Sequence, residues 1–380
     1  MRRREADAPL VAESRRGLTV RPLIIDLGRD FRGGQDQALL LLRGLQARGH
    51  APELITIRDS LLASRAKEAE ISTHGVSSSW RRLDAARIIR RLVGTRRVDV
   101  LHANEPHALT SAWLARAHRS IPMIVSRRVE LPLSSDALSQ ARYRATRRVV
   151  AVSDFVKESV LASGLPADLV EVIYVGVEVP EPFSQAERDA ARQRFAIGPG
   201  SVCLGNVAAL VPEKGHVLLL GALAELRAQF PQCVVLLAGE GREHANLQAL
   251  ARELHLEALV KFAGFVPDVE SVYAATDIFV FPSHQEPLAV AMLSAMAYGL
   301  PLVVFARGGN PEAVEDGKNG LLVKELDAGA LAVAIARLLA NRDEARRLGE
   351  AARETVRTRF SADQMVEETL RLYKEVTGLP

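Results

Sequence analysis

Residues 282–320 read PSHQEPLAVAMLSAMAYGLPLVVFARGGNPEAVEDGKNG. The order is strand end, acidic loop, helix, strand, glycine pair and a second helix start. Ser283 carries a side chain suited to capping a helix, and Pro287 suits a first helical position. Gly299 marks the stop of that helix, and the apolar run 302–306 predicts a strand. Gly308 and Gly309 leave the backbone bare ahead of a turn at Asn310-Pro311. Two helix starts beside strand ends point free N–H groups one way, an arrangement suited to a diphosphate.

On either side of this stretch, strands and helices alternate along almost the whole chain, which predicts parallel sheets with helices on both faces. In the first half the expected strands are 22–27, 53–57, 98–102, 123–126, 149–152 and 170–174, with the clearest helices at 35–48, 106–118 and 154–162. Pro180, Pro182 and Ser184 mark a linker, followed by a helix at 185–195 and the turn Gly198-Pro199-Gly200. The alternation restarts with strands at 202–207, 233–238, 260–263, 278–281, 302–306 and 321–323, and 328–374 reads as three helices. The expected plan is a basic extension (1–19), a first Rossmann-like domain (20–180), a linker (181–200), a second such domain (201–360) and a terminal segment (361–380). Two facing doubly wound α/β domains with a cleft between them is the architecture this pattern implies.

Composition supports two cores: the chain has 380 residues and 48% apolar content. No uninterrupted apolar run reaches the length of a membrane span, and no secretory leader is visible at the start. Cys203 and Cys233 sit in apolar strand-like runs, as buried reduced thiols do. A cytoplasmic protein is expected, possessing no metal or resident cofactor. The net charge of +3 hides an asymmetry: residues 1–180 hold 29 Lys/Arg against 20 Asp/Glu, a difference of +9, which leaves −6 for the rest. The basic half predicts an anionic partner. Part of that charge lies on 81–97 (RRLDAARIIRRLVGTRR), where Ala85, Ile88, Ile89 and Leu92 form an apolar stripe and Arg87, Arg90, Arg91 and Arg97 the other side. Two readings stand: a domain helix with a solvated basic face, or a peripheral contact with an anionic inner-membrane surface. Nucleic acid is disfavoured, because aromatic residues are 5% of the chain and no binding motif is present.

The stretch 282–320 resembles the donor-site signature of the retaining glycosyltransferases of family 4. In that signature a Glu opens a helix and a second Glu follows eight residues on; Glu286 matches the first and Ser294 stands at the second. The resemblance covers about residues 20–376 and implies the GT-B fold, with the last helix crossing back to the first domain. It also implies that Gly33 and Gly34, in DFRGGQ, form the first domain's glycine loop. In the element VDVLHANEP, His102 matches the first of two family histidines and Asn104 stands in place of the second. Lys214, in LVPEKGH, matches the lysine that neutralises the donor diphosphate, while Ala209 replaces an Arg five residues before it. Glu240, Phe265 and Val266 fall where the family holds the nucleobase. The family often reads Glu-Gly-x-Gly where this chain has Glu-Pro-Leu-Ala, so Leu288, Ala289 and Val290 are the remaining backbone donors.

By this resemblance the chain is expected to be a metal-independent hexosyltransferase, with Glu286, Lys214 and Asn104 as catalytic candidates. It would move a sugar from a nucleotide-diphosphate donor to a lipid-linked or polysaccharide acceptor. The wording of the first domain, with IVSRRVELP and VVAVSDFVKESVLASGLP, resembles the branch that builds bacterial lipopolysaccharide and other surface glycans. Two rival expectations stand: a sugar-nucleotide epimerase or phosphorylase on the same fold, and a non-catalytic sugar-nucleotide or glycan-binding protein. The substitutions Ala209, Ser294 and Asn104 favour the second of these.

Overall fold

The computed structural model describes residues 19–30 and 33–380, so the basic extension 1–18 and Phe31-Arg32 lie outside the described residues. The chain forms two compact units. The first runs to Gly176 and takes in Ala362–Pro380; the second is Val177–Ser361.

The first unit is a parallel sheet of β1 (Pro22–Ile25), β2 (Glu53–Ile57), β3 (Ser72–Val76), β4 (Val100–Ala103), β5 (Met123–Arg127), β6 (Arg148–Ala151) and β7 (Val170–Val172), in the order β3-β2-β1-β4-β5-β6-β7. Its central strands are apolar and buried on both faces, as parallel strands covered by helices must be. Strand β3 (STHGV) is absent from the strands expected from sequence. It lies at the sheet edge, where only Val76 is buried and no apolar run is required. The helix Ala362–Thr377 packs on the helix Gly33–Ala47 and buries Met365, Val366, Leu372 and Tyr373 in this unit's core. The approach is close: a Cβ on Gly44 would fall 2.5 Å from Val366 Cγ2.

The second unit repeats the topology with β8 (Val202–Val207), β9 (Cys233–Ala238), β10 (Val260–Gly264), β11 (Ile278–Phe281), β12 (Leu302–Phe305) and β13 (Leu321–Val323), in the order β10-β9-β8-β11-β12-β13. Both cysteines are buried in it and free. The segment expected as a linker is built into this unit. Its helix Gln185–Arg194 begins in a capping box at Ser184 and Glu187, and Arg188 and Arg192 both bind Asp277 ahead of β11. At the unit's ends Val177 pairs with Ser361, and the Val177 N–H donates to the Phe360 carbonyl at 2.9 Å.

In each sheet the strand order reverses once, between β1 and β4 and between β8 and β11. The carboxyl ends of those strands are the usual ligand position in doubly wound sheets.

Candidate active site

In the second unit the loops after β8 and β11 meet at the reversal point. After β8 the chain makes a short turn, Pro212–Lys214, then Gly215 at φ 68°, then the helix His216–Leu226. Gly215 admits no side chain, since a Cβ would sit 1.9 Å from the Pro282 carbonyl oxygen. Two further bonds tie the loops: the His284 N–H donates to the Glu213 carbonyl at 2.8 Å, and Ser283 Oγ donates to the same oxygen at 3.1 Å. This stitching brings Lys214 Nζ into an ion pair with Glu286 Oε1, which also accepts from Ser283 Oγ at 2.7 Å. Lys214 Nζ lies 5.9 Å from the centre of the Phe281 ring. Glu286 is 7% exposed, so a buried carboxylate and a half-buried ammonium face each other at the strand ends. A lysine just ahead of a helix calls for an anion nearby, and Glu286 is that anion within the protein itself.

Four expectations for this stretch are corrected. The helix begins at Val290, three residues beyond Pro287, and its N-cap is Ala289 with no side-chain cap. Ser283 binds Glu286 instead of capping, because the loop needs its hydroxyl to hold the carboxylate. Glu286 therefore lies in the loop and not on the helix, and the two-turn spacing to Ser294 does not apply. Ser294 is half-buried on the helix Val290–Ala297, with no side-chain hydrogen bond among the described residues. Nor are Gly308 and Gly309 bare: a Cβ on either would come 2.1 Å from the carbonyl oxygen of Glu286 or Pro287, and the Gly309 N–H donates to Glu286 O at 2.8 Å. The pair clamps the Glu286 loop from behind.

The uncapped helix leaves first-turn N–H groups, Ala289 and Val290 among them, without intrahelical partners. A Ser or Asp in place of Ala289 would stabilise the helix by about 1 kcal/mol and would occupy one of those donors. Glu240, Phe265 and Val266 stand at the ends of the neighbouring strands β9 and β10. Phe265 is 67% exposed, and the Gly239 N–H ties the two ends by donating to Gly264 O at 2.8 Å. Underneath, His216 Nε2 meets Asn206 Oδ1 at 3.1 Å, and burial pulls the His216 pKa down to about 4.

In the first unit the reversal point gathers Gly33, Gly34 and Asn104. Asn104 Nδ2 donates to Asp26 Oδ2 at 2.6 Å and to the Gly34 carbonyl at 3.0 Å. Its Oδ1 accepts from Arg128 Nε at 3.2 Å and Nη2 at 2.7 Å. Both amide hydrogens and both oxygen lone pairs are thus committed. Asn104, a catalytic candidate by the family resemblance, is 4% exposed and a buried hub of this network. Asp26, fully buried, also accepts from the Gly28 N–H and Gln35 Nε2, each at 2.9 Å, and so shapes the glycine loop. His102 is held between Tyr373 Oη at 2.6 Å and Ser126 Oγ at 2.8 Å; burial lowers its pKa to about 3. Glu105 caps the next helix by accepting from His107 N and Ala108 N, and burial pushes its pKa up to about 7. Asp26, Arg128 and Tyr373 escaped the sequence reading. Only Asp26 left a trace, as the acid closing the apolar run LIID.

Among the described residues, no group of three or more His, Cys, Asp or Glu is placed to hold a metal ion. None of the helices there is long and apolar enough to cross a membrane.

Comparison with known proteins bears on both units. Residues 187–355 match the family model of the glycosyl transferases group 1, and residues 31–180 that of glycosyltransferase family 4. The chain is similar to spore coat protein SA of Bacillus subtilis, 29% identical over 90% of this chain and 95% of that one. It is also similar to a D-inositol 3-phosphate glycosyltransferase of Saccharomonospora viridis, 30% identical over 73% of this chain and 70% of that one. The lipopolysaccharide core biosynthesis glycosyltransferase LpsE of Rhizobium meliloti is 36% identical over 43% of this chain, a match that spans 46% of that relative. Among solved structures, Anabaena Alr3699/HepE in complex with UDP superposes with a TM-score of 0.79 at 22% identity, covering 94% of this chain and all of the other; at that identity the likeness speaks for the fold.

Proposed function

The chain belongs to glycosyltransferase family 4 and has that family's GT-B fold of two Rossmann-like domains, and from that premise we propose that it is a retaining, metal-independent hexosyltransferase. It takes a sugar from a nucleoside-diphosphate donor held by the second unit and passes it to a hydroxyl of a lipid-linked or polysaccharide acceptor on the first. The observation that carries this reading is the Lys214–Glu286 pair beside an uncapped helix start at the β8/β11 reversal. Lys214 and the first-turn amides would stabilise the leaving diphosphate, the term usually largest in such transfers. Glu286 would orient the sugar, Ser294 would face the ribose, and the ends of β9 and β10 would take the base. A role in surface-glycan or lipopolysaccharide synthesis draws support from the likeness to LpsE.

Isothermal calorimetry against UDP, GDP and ADP and their sugar conjugates tests the donor site. Low-micromolar binding of one base is the expected result, and UDP is the first to try because HepE binds it. Failure of all of them favours the second reading, a non-catalytic glycan-binding protein, which Ala209 and the fully committed Asn104 support.

A peripheral membrane contact is part of the same proposal. The helix Arg81–Gly94 buries Ala85, Ile89 and Leu92 and exposes Arg87, Arg90 and Arg91, with Trp80 66% and Leu83 43% exposed at its start. Sedimentation with anionic vesicles, lost on Arg87/Arg90/Arg91→Ala and absent with zwitterionic vesicles, is expected; equal binding by the variant removes this helix from the contact.

A further inference from the structure

Arg128 follows β5 and is held differently from Arg48 and Arg148, two other half-buried arginines of the first unit. Arg48 and Arg148 each pair with carboxylates of the terminal helix, Asp363 and Glu375. Arg128 instead has both Nε and Nη2 on the Asn104 carbonyl oxygen, and among the described residues no carboxylate lies within ion-pair distance of it. A neutral acceptor fixes the plane of a guanidinium without cancelling its charge. The nearest acid across the hub is Asp26, which faces the other side of the Asn104 amide. Burial lowers the Arg128 pKa to about 10, the mark of a cation set where water is scarce. Its stem lies over the glycine loop, with Cδ 3.5 Å from where a Gly34 Cβ would be. A second observation comes from the segment beyond it in the chain. Val129 and Leu131, just after the cation, and Leu138, on the helix Ala137–Arg144, are apolar residues exposed at 41, 64 and 52%.

We propose that Arg128 is a phosphate-binding residue for the acceptor, that Asn104 is the positioning residue which holds it, and that the acceptor is a lipid carried on a phosphate. The guanidinium edge that carries Nη1, turned away from Asn104, suits phosphoryl oxygens, and the start of the helix Gly33–Ala47 adds favourable partial charge beside it. The apolar residues after Arg128 suit the lipid chain. The family's second histidine could not serve here, since an imidazole has no oxygen to accept two N–H groups while donating to Asp26 and Gly34. This inference rests on the first unit being the acceptor side, and deepens that reading by naming the acceptor class.

The test is calorimetry on the full chain saturated with the nucleotide found to bind best, titrated with farnesyl phosphate, farnesol and inorganic phosphate. Wild type should bind farnesyl phosphate at least tenfold more tightly than farnesol. Arg128→Gln should abolish that preference while leaving nucleotide affinity unchanged. Arg128→Lys, which keeps the charge but loses the fork, should weaken farnesyl phosphate about tenfold, and carries the test if the Gln variant folds poorly. Equal affinity of wild type and both variants for farnesyl phosphate overturns the proposal, as does equal binding of farnesol and its phosphate. A loss of nucleoside-diphosphate affinity in Arg128→Gln as large as the loss for farnesyl phosphate also overturns it, by assigning the cation to the donor. Nucleotide binding by the unsubstituted chain is read separately, so a failed donor reading is distinguishable from a failed acceptor reading.

Discussion

Lys214→Ala and Glu286→Ala are each expected to lower turnover by about two orders of magnitude or more, with the second unit still folded. The two losses differ in kind. Removing Lys214 takes away a cation that would face the departing diphosphate, so nucleotide affinity should fall along with turnover. It also leaves Glu286, 7% exposed, with Ser283 as its remaining partner, and an unpaired carboxylate in such a place is costly. Glu286→Gln separates these effects, because it keeps the shape and an acceptor for Ser283 while releasing Lys214. If Glu286 orients the sugar, the Gln variant keeps nucleotide binding and loses transfer. Full activity in the Lys214 or Glu286 alanine variant takes that residue out of the reaction.

Gly308→Val should destabilise the second unit by about 2–4 kcal/mol and abolish nucleotide binding. Gly308 has φ 58°, a region that a β-branched residue avoids at a cost of about 1–2 kcal/mol. Its Cβ would also fall 2.1 Å from the Glu286 carbonyl oxygen and 2.8 Å from the Glu286 nitrogen, both backbone atoms that cannot rotate aside. The Glu286 loop must then move, and the ion pair with Lys214 moves with it. For a unit of this size the drop in melting temperature is roughly 4–16 °C. Gly317→Ala is the control: φ is 70° but nothing lies within 4 Å of its Cβ, so only the backbone term of about 1 kcal/mol remains. A Gly308→Val protein that melts like wild type and still binds nucleotide shows that the glycine does not clamp the loop.

Much of the fold was legible because the central parallel strands, buried on both faces, must be continuous apolar runs, and twelve of the thirteen strands among the described residues were expected from sequence. Strand β3 was missed because an edge strand needs no such run. Within the site, Lys214, Glu286 and the glycine pairs were legible as residue types at strand ends, but what each one touches was not. Gly308 and Gly309 looked like bare backbone for a ligand and prove to be backbone packed on backbone. Ser283 looked like a cap because its side chain suits one ahead of a helix, yet it binds the Glu286 side chain. Asn104 read as a lost histidine. Its meaning lies in Arg128, 24 residues on in another strand's loop, and no local pattern connects the two. Tyr373 under His102 is more distant still, 271 residues along.

That last contact bears on how the chain is made. The first unit is not complete until Ala362–Pro380 has been synthesised, whereas the second is one continuous segment. During translation the early sheet must wait, with the helix Gly33–Ala47 uncovered and His102 lacking its tyrosine, until the helix Ala362–Thr377 leaves the ribosome. The part born first is thus finished last, and every chain cut short before residue 362 exposes that gap to quality control however well its second half has folded.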